Sequence, residues 1–224
     1  MEPTTAESKR AVAASPIKHV LLDADGVLQE MPGGWQTALE PFVGDRASEL
    51  LERIWADENR MLTGQGDFMA ALAVTLDEFG VLATCADFIA AWHNFTAAAE
   101  SVAVVEALRR NGYGVHLGTN QVRSRGEYMR TELAYDTLFD VSCYSYDLGI
   151  AKPNTAFFIE AARRIGAPPH AVLFIDDKAP NVEGAREAGM AAELWHLSQG
   201  HDVLRAVFAQ HGVAAHPTVT QQAV

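Results

Sequence analysis

The sequence predicts an α/β fold: a Rossmann-like parallel sheet core with helices on both faces and a small all-helical cap inserted after strand one. Two observations carry that expectation. From about Ala97 onward, short apolar runs bounded by turn residues alternate with helix-period segments, and strand then helix, repeated about four times, implies parallel strands covered on both faces. Between Pro41 and Phe95, by contrast, no strand signal interrupts a run of helical periodicity, so this stretch reads as an insertion.

The elements follow in order. Lys18 to Asp23 (KHVLLD) is an apolar run stopped by Asp-Ala-Asp-Gly, a buried strand ending in a turn. Leu50, Leu51, Ile54, Trp55, Met61 and Leu62 keep a 3.6 period, as do Phe68, Met69, Leu72, Leu76 and Phe79 ahead of Gly80. Thr84 to Asp87 fits a capping box that opens a helix carrying Phe88, Ile89, Trp92 and Phe95. Trp55, Trp92 and Phe95 read as the cap's own core, and Trp35, beside Gly33 and Gly34, as a lid contact. A helix with Val102, Val105 and Leu108 runs through Arg109 and Arg110 into Gly112, a basic last turn followed by a helix-ending glycine. Then come a strand at Tyr113 to Gly118, a helix at about Val122 to Ala134, and a strand at Val141 to Tyr146. Asn154 to Ile165 is helical, with Pro153 suited to its first turn and Gly166 to its end. Ala171 to Ile175 is a buried strand, Pro180 to Ala188 a helix stopped by Gly189, and Ala191 to Trp195 a last strand. The division expected is a core of residues 17–32 and 97–211, a cap of 33–96, and loose tails at 1–16 and 212–224.

Composition bounds the function. The chain has 224 residues, 49 % hydrophobic and 21 % charged, which excludes disorder and collagen-like fibres. Seventeen Lys and Arg against 29 Asp and Glu leave a net charge of −12, which repels phosphate backbones, so no nucleic-acid partner is expected. The same surplus suits divalent cations wherever several Asp converge. Cys85 and Cys143 form no CxxC pattern and read as two buried, reduced thiols. No apolar run approaches the roughly 18 residues of a membrane span, and Met1 to Ser15 has no apolar signal core, so the expectation is a leaderless cytoplasmic protein without a membrane partner. The eight His are scattered without a HExxH pair, and Gly112, Gly114 and Gly118 precede or sit inside a strand, where a dinucleotide fingerprint does not belong.

Ligands of a doubly wound sheet bind outside the carboxyl ends of its strands, so the residues just after each apolar run are the informative ones. Strand one ends at Asp23 and Asp25, the next core strand at Thr119-Asn120, the third leads through Gly149 to Lys152-Pro153, and the fourth ends at Asp176-Asp177. Taken singly, each has a bland reading: turn formers, a helix cap, a solvated lysine. Together they put four acids, a hydroxyl and an ammonium on one edge of the sheet. Carboxylates about 4 Å apart repel by about 4 kcal/mol at an effective dielectric near 20, so the cluster calls for a cation. Oxygen-only donors favour Mg²⁺, which shares a substrate phosphate. The chemistry this suggests is in-line attack of a carboxylate on phosphorus, then hydrolysis of the aspartyl-phosphate. A second acid two residues on serves as general acid and then base.

These residues resemble the haloacid dehalogenase superfamily of hydrolases. DADGVL (Asp23 to Leu28) is similar to its first motif, LGTN (Leu117 to Asn120) to its second, GIAKPN (Gly149 to Asn154) to its third and FIDDKAPNVEGAREAGM (Phe174 to Met190) to its fourth. The resemblance implies Asp23 as nucleophile and Asp25 as acid/base. Thr119, Asn120 and Lys152 would hold the phosphorylated substrate, and Asp23, the backbone carbonyl of Asp25, Asp177 and Asp176 would hold Mg²⁺. It also implies the small helical cap of the first cap subclass and, as partner, a small phosphorylated metabolite such as a sugar phosphate. Arg123 and Arg125, after the second motif, face either substrate or solvent on this reading. Alternatives within the superfamily are a phosphomutase, which shares every core motif, and a dehalogenase, against which Asp25 speaks. From another class, a phosphoryl-accepting or binding module remains, though in receiver domains the paired acids stand at the first strand and the Lys at the last.

Overall fold

The structure is a computed structural model that describes residues 17–56 and 58–215. The expected tail at 1–16 and the end of the chain from 216 lie outside the described residues. The first strand, β1 (His19–Leu22), leads through the Asp23–Val27 turn to a two-residue strand, β2 (Gln29–Glu30). The insertion follows: α1 (Gly34–Val43), α2 (Ala47–Trp55), α3 (Glu58–Leu62), α4 (Phe68–Glu78) and α5 (Cys85–Trp92). β3 (Thr96–Ala97) pairs antiparallel with β2 and closes the insertion at its base. The core resumes with α6 (Ala99–Arg110), β4 (Gly114–Thr119), α7 (Arg123–Thr131), α8 (Tyr135–Leu138), β5 (Val141–Tyr144), α9 (Ser145–Leu148) and α10 (Thr155–Ile165). β6 (Val172–Asp176), α11 (Ala179–Glu187), β7 (Ala191–Leu194) and α12 (His201–Gln210) complete it.

Five parallel strands form one sheet in the order β5-β4-β1-β6-β7. Strand alternation sorts the side chains onto two faces. Val20 and Leu22 of β1 join Leu117, Leu173 and Ile175 in one apolar cluster, whereas Leu21 joins Val172, Phe174 and Phe158 in another. Both faces are therefore buried, which is why β1 and β6 read as continuous apolar runs. From β1 the chain builds outward through β4 to β5 and then crosses back to β6 on the other side of β1, so the strand order reverses at the centre of the sheet. At such a switch point a crevice opens outside the carboxyl ends. Leu22 is level with Leu117 on one side and Ile175 on the other, which brings the residues after all three strands to the same edge.

The insertion has its own apolar centre of Leu39, Leu50, Leu51, Leu72, Leu76, Phe88 and Trp92. The Thr84 capping box forms as expected, the Thr84 hydroxyl accepting from the Asp87 N–H and the Asp87 carboxylate accepting from Thr84. Several expectations are corrected. Phe95 packs in the main core and not in the insertion, and Trp55 is 41 % exposed. Cys143 is buried as expected, but Cys85 is only half-buried. The third strand stops at Tyr144 because the chain turns there into α9, capped by Gly149 at φ +71°. α10 starts at Thr155 with Asn154 as its cap, the Asn154 side chain accepting from the Ala156 N–H, so Pro153 lies ahead of the first turn. The β2–β3 pair and α12 carry too little pattern to have been anticipated. Nor is the tail loose from Gly212: Val213 and Ala215 are each 3 % exposed against the core.

Candidate active site

The site is built at the switch point by loops that leave β1, β4 and β6. Asp23 follows β1; its N–H donates to the Ile175 carbonyl at 3.0 Å, and its Oδ1 accepts from the Ala24 N–H at 2.7 Å. Asp176 ends β6 and is fully buried. Between them stands the Lys152 ammonium, 2.9 Å from Asp23 Oδ1 and 2.6 Å from Asp176 Oδ2. Burial opposes charge on Lys152, but Asp176 and Asp23 outweigh it and hold its pKa above the ordinary value.

Each carboxylate has a different surrounding. Both Asp176 oxygens are engaged: Oδ1 accepts from the Lys178 N–H at 2.8 Å, and the Asn181 amide donates to both oxygens at 3.0 Å. Asp23 is pushed up to about 7, first by burial and then by Asp176 and Asp25, with Lys152 pulling the other way. Asp177 is also raised, by burial and then by Asp176, and its Oδ1 is buried with no hydrogen-bond partner. Leaving a buried acceptor unsatisfied costs about 1–3 kcal/mol, so this oxygen calls for a donor or a cation. Gly26, at φ +77°, lets the turn pass Asp177: a Cβ there would stand 2.9 Å from the Asp177 Cγ.

Asp25 points elsewhere. Arg125 donates bidentately to it at 2.6 and 2.7 Å, Gln29 Nε2 at 2.9 Å and Gln121 Nε2 at 2.8 Å. Burial pushes Asp25 up, but the Arg125 guanidinium wins, with the two amides, and brings its pKa to about 2. The cage is itself held: the Tyr135 hydroxyl donates to Gln29 Oε1 at 2.7 Å, and Arg125 lies over the rings of Trp35 and Phe95 at 4.8 and 4.2 Å.

Of the residues anticipated, the structure groups Asp23, Asp176 and Asp177, whose carboxylate oxygens lie within 4.8 Å of one another. The Asp25 carboxylate faces Arg125 and is not part of that group. Thr119 ends β4, its hydroxyl accepting from Gln121 Nε2 at 3.1 Å. Asn120 spends both ends of its amide on the Lys152 backbone, donating to its carbonyl and accepting from its N–H, each at 2.9 Å, and so pins the lysine loop to β4. The two arginines left open separate: Arg125 is buried on Asp25, whereas Arg123 is exposed beside Glu127 and the Tyr146 ring. Gln29, Gln121 and Asn181 were not anticipated. Their only signal in the sequence is that each lies within a few residues of an acidic or hydroxyl motif.

Four carboxyl groups thus stand against the two buried cations Lys152 and Arg125, and Asp177, one of the three clustered acids, keeps a buried oxygen without a hydrogen-bond partner. That all-oxygen donor set suits a hard divalent ion. Beside Asp25 a cavity of about 240 Å³ separates the insertion from the core, with Trp35, Trp55 and Trp92 on one wall and Asp25, Arg125 and Lys178 on the other. Among the described residues no helix is long and apolar enough to cross a membrane.

A family model described as haloacid dehalogenase-like hydrolase matches residues 17–189. A phosphatase of Mycobacterium tuberculosis is 31 % identical over 195 residues, 80 % of this chain and 87 % of that protein. The glyceraldehyde 3-phosphate phosphatase of Methanopyrus kandleri is 31 % identical over 84 residues, 37 % of this chain. The chain spans only 36 % of the length of that enzyme, and 11 % of the drimenol cyclase of Aspergillus calidoustus, to which 60 residues are 42 % identical. Among solved structures, an enzyme of the same family from Bacteroides thetaiotaomicron, crystallised with magnesium, superposes with a TM-score of 0.70 at 20 % identity. The match covers 84 % of this chain and 98 % of that one.

Proposed function

This chain belongs to the haloacid dehalogenase-like hydrolase family, and from that premise we propose that it is a magnesium-dependent phosphatase of a small phosphomonoester, with Asp23 as nucleophile. The observation that carries the reading is the Lys152 ammonium shared by Asp23 and Asp176, next to a three-carboxylate cluster in which one Asp177 oxygen has no partner. Asp23, Asp177 and the backbone carbonyl of Asp25 would hold the ion, with Asp176, already saturated by Lys152 and Asn181, joining through water. The bound ion supplies positive charge that lets an anionic ester approach an anionic nucleophile.

The residues of the chain do the rest. Lys152 fixes the Asp23 carboxylate at Oδ1 and leaves Oδ2 to attack phosphorus in line. Thr119 and Lys152 bind the oxygens that are not transferred, with Asn120 holding the lysine loop in place. Asp25 would take a proton from the water that hydrolyses the aspartyl-phosphate once the hydrogen bonds from Arg125, Gln29 and Gln121 loosen and raise its proton affinity. To protonate a leaving alcohol first, it must shed part of its four-donor cage. The insertion, which walls the cavity, is the natural element to shift Arg125 as substrate enters. The phosphatase relatives support the class of reaction, and the neighbour crystallised with magnesium supports the ion.

The test is phosphate release from p-nitrophenyl phosphate. Activity is expected with Mg²⁺, none after chelation, and a loss of at least roughly a thousandfold in Asp23→Asn, as for removal of other covalent nucleophiles. Halide release from a 2-haloacid, without phosphatase activity, would point to the dehalogenase alternative. Full turnover by D23N would remove Asp23 from the role.

A further inference from the structure

Asp25 is carried by a turn that closes on itself. The Ala24 carbonyl accepts from the Val27, Leu28 and Gln29 N–H groups at 3.3, 2.7 and 2.9 Å, and the Gly26 N–H donates to the Gln29 carbonyl at 2.8 Å. Three carbonyls of the turn are held from outside it. Those of Gly26 and Leu28 accept from backbone, the Leu197 and Ala98 N–H groups, each at 2.8 Å. That of Val27 accepts from a side chain, the Ser101 hydroxyl, at 2.8 Å.

The hydroxyl has a second neighbour. His201 Nε2 lies 2.8 Å from Ser101 Oγ, and Glu100 Oε2 lies 3.2 Å from His201 Nδ1. Serine, histidine and glutamate in this order have the form of a nucleophile, a base and its orienting acid. Ser101 is only 4 % exposed, however, and its hydroxyl bonds a backbone carbonyl, so the arrangement acts on the turn and not on a substrate.

Ser101 Oγ carries one hydrogen, and so does a neutral imidazole. The Glu100 carboxylate draws the imidazole hydrogen to Nδ1, which leaves Nε2 an acceptor that competes with the Val27 carbonyl for the hydroxyl hydrogen. The imidazolium carries a hydrogen on each nitrogen. Nε2 then donates to Ser101, and the hydroxyl hydrogen stays on Val27. Imidazole changes charge near neutral pH. Among the described residues, the charged groups that face His201 are Glu100 from α6 and, bound to Glu100 at 2.7 Å and to Asp202 at 2.9 Å, Arg205 of its own helix. The chain after β7 packs the Trp195 ring against it, centroids 5.3 Å apart.

We propose that Ser101 and His201 are positioning residues for Asp25: the Ser101 hydroxyl clamps the turn at Val27, and the proton on His201 Nε2 keeps the clamp shut. The proposal rests on the phosphatase reading above and deepens it.

The experiment compares two aryl phosphates. p-Nitrophenol leaves well without a proton, whereas phenol needs one from Asp25, so the ratio of their kcat/KM values reports how well Asp25 is placed. In Ser101→Ala, with Mg²⁺ present, phenyl phosphate should lose at least about tenfold in kcat/KM and p-nitrophenyl phosphate less than about threefold. In wild type the ratio of p-nitrophenyl to phenyl kcat/KM should rise from about pH 6 to 8 more steeply than in His201→Gln, whose amide donates to Ser101 at every pH. The rise left in H201Q belongs to Asp25 and the substrates. In parallel, hydrogen exchange of the turn, residues 24–30, is followed without substrate and corrected for its intrinsic pH dependence. It should be at least about tenfold faster in S101A, and should quicken from about pH 6 to 8 in wild type but not in H201Q. Equal losses for the two esters in S101A, or coincident pH profiles of wild type and H201Q, overturn the proposal and leave the phosphatase reading intact. If wild type hydrolyses neither ester, the phosphatase reading fails, and exchange alone decides: a turn unmoved in S101A overturns the clamp. If S101A does not fold, wild type against H201Q decides in both measurements, and coincident profiles overturn the proposal.

Discussion

Lys152 answers two buried carboxylates at once, and its side chain is only 1 % exposed. Removing one partner of such a pair costs about 3–5 kcal/mol, because the remaining charges stay buried without compensation. Lys152→Met should therefore lower the unfolding free energy measured by urea titration by an amount in that range; unchanged stability would mean the acids are solvated. A second pair, at the other end of the sheet, is sensitive to pH. His19 Nδ1 lies 3.1 Å from His116 Nε2, and the buried His116 is lowered to about 4, by burial first and by His19 second. Its folded pKa is below its unfolded value of 6.5, so the unfolded chain takes up the proton first. The stability His116 contributes is therefore fully present above pH 6.5 and is lost as pH falls from 6.5 toward 4. Across that window wild type should lose up to about 3 kcal/mol more than His116→Gln in denaturation experiments. Parallel profiles would contradict the assignment.

At the scale of elements, the site depends on α11 lying close against the loop that carries Lys152. Gly184 permits this: a Cβ there would overlap the Pro153 carbonyl oxygen and stand 3.1 Å from the Phe158 ring. Backbone cannot yield as a side-chain tip can, so Gly184→Ala should cost roughly 1–3 kcal/mol and lower Tm by several degrees. It should also reduce turnover, because the displaced loop holds Lys152. A variant with wild-type Tm would show that α11 and the loop are not closely packed. The turn after β1 is bound at three points to two other segments, the start of α6 and the chain after β7. Leu197 N–H donates to the Gly26 carbonyl at 2.8 Å, the Ser101 hydroxyl to the Val27 carbonyl at 2.8 Å and Ala98 N–H to the Leu28 carbonyl at 2.8 Å. The entry to the insertion is thereby fixed to the core on which Asp23 and Asp25 sit.

For the molecule as a whole, what could be read from the sequence follows what is periodic or continuous. β1, β4 and β6 are buried on both faces, so their apolar runs, the turn residues after them and the helices between them stand out along the chain. That is enough to bring Asp23, Thr119 and Asp176 to one edge. Features that depend on contacts distant in sequence were not legible. The β2–β3 pair is two residues on each side, and β5 ends early because α9 intervenes. Val213 and Ala215 look like tail but find room in the core. The largest surprise is Arg125, one arginine in a polar stretch. Its burial depends on Asp25, a hundred residues earlier, and on rings from two other elements. The charge balance around the acids can be read only after the fold has brought them together.

The central claim is that Asp23 itself receives the phosphoryl group. Protein mixed with Mg²⁺ and a phosphomonoester, quenched in acid during turnover and digested, should yield the peptide containing Asp23 with one added phosphoryl mass on that aspartate, and the adduct should be absent in D23N. Sustained phosphate release with Asp23 unmodified in every quench, or with the adduct on another residue, would contradict the account.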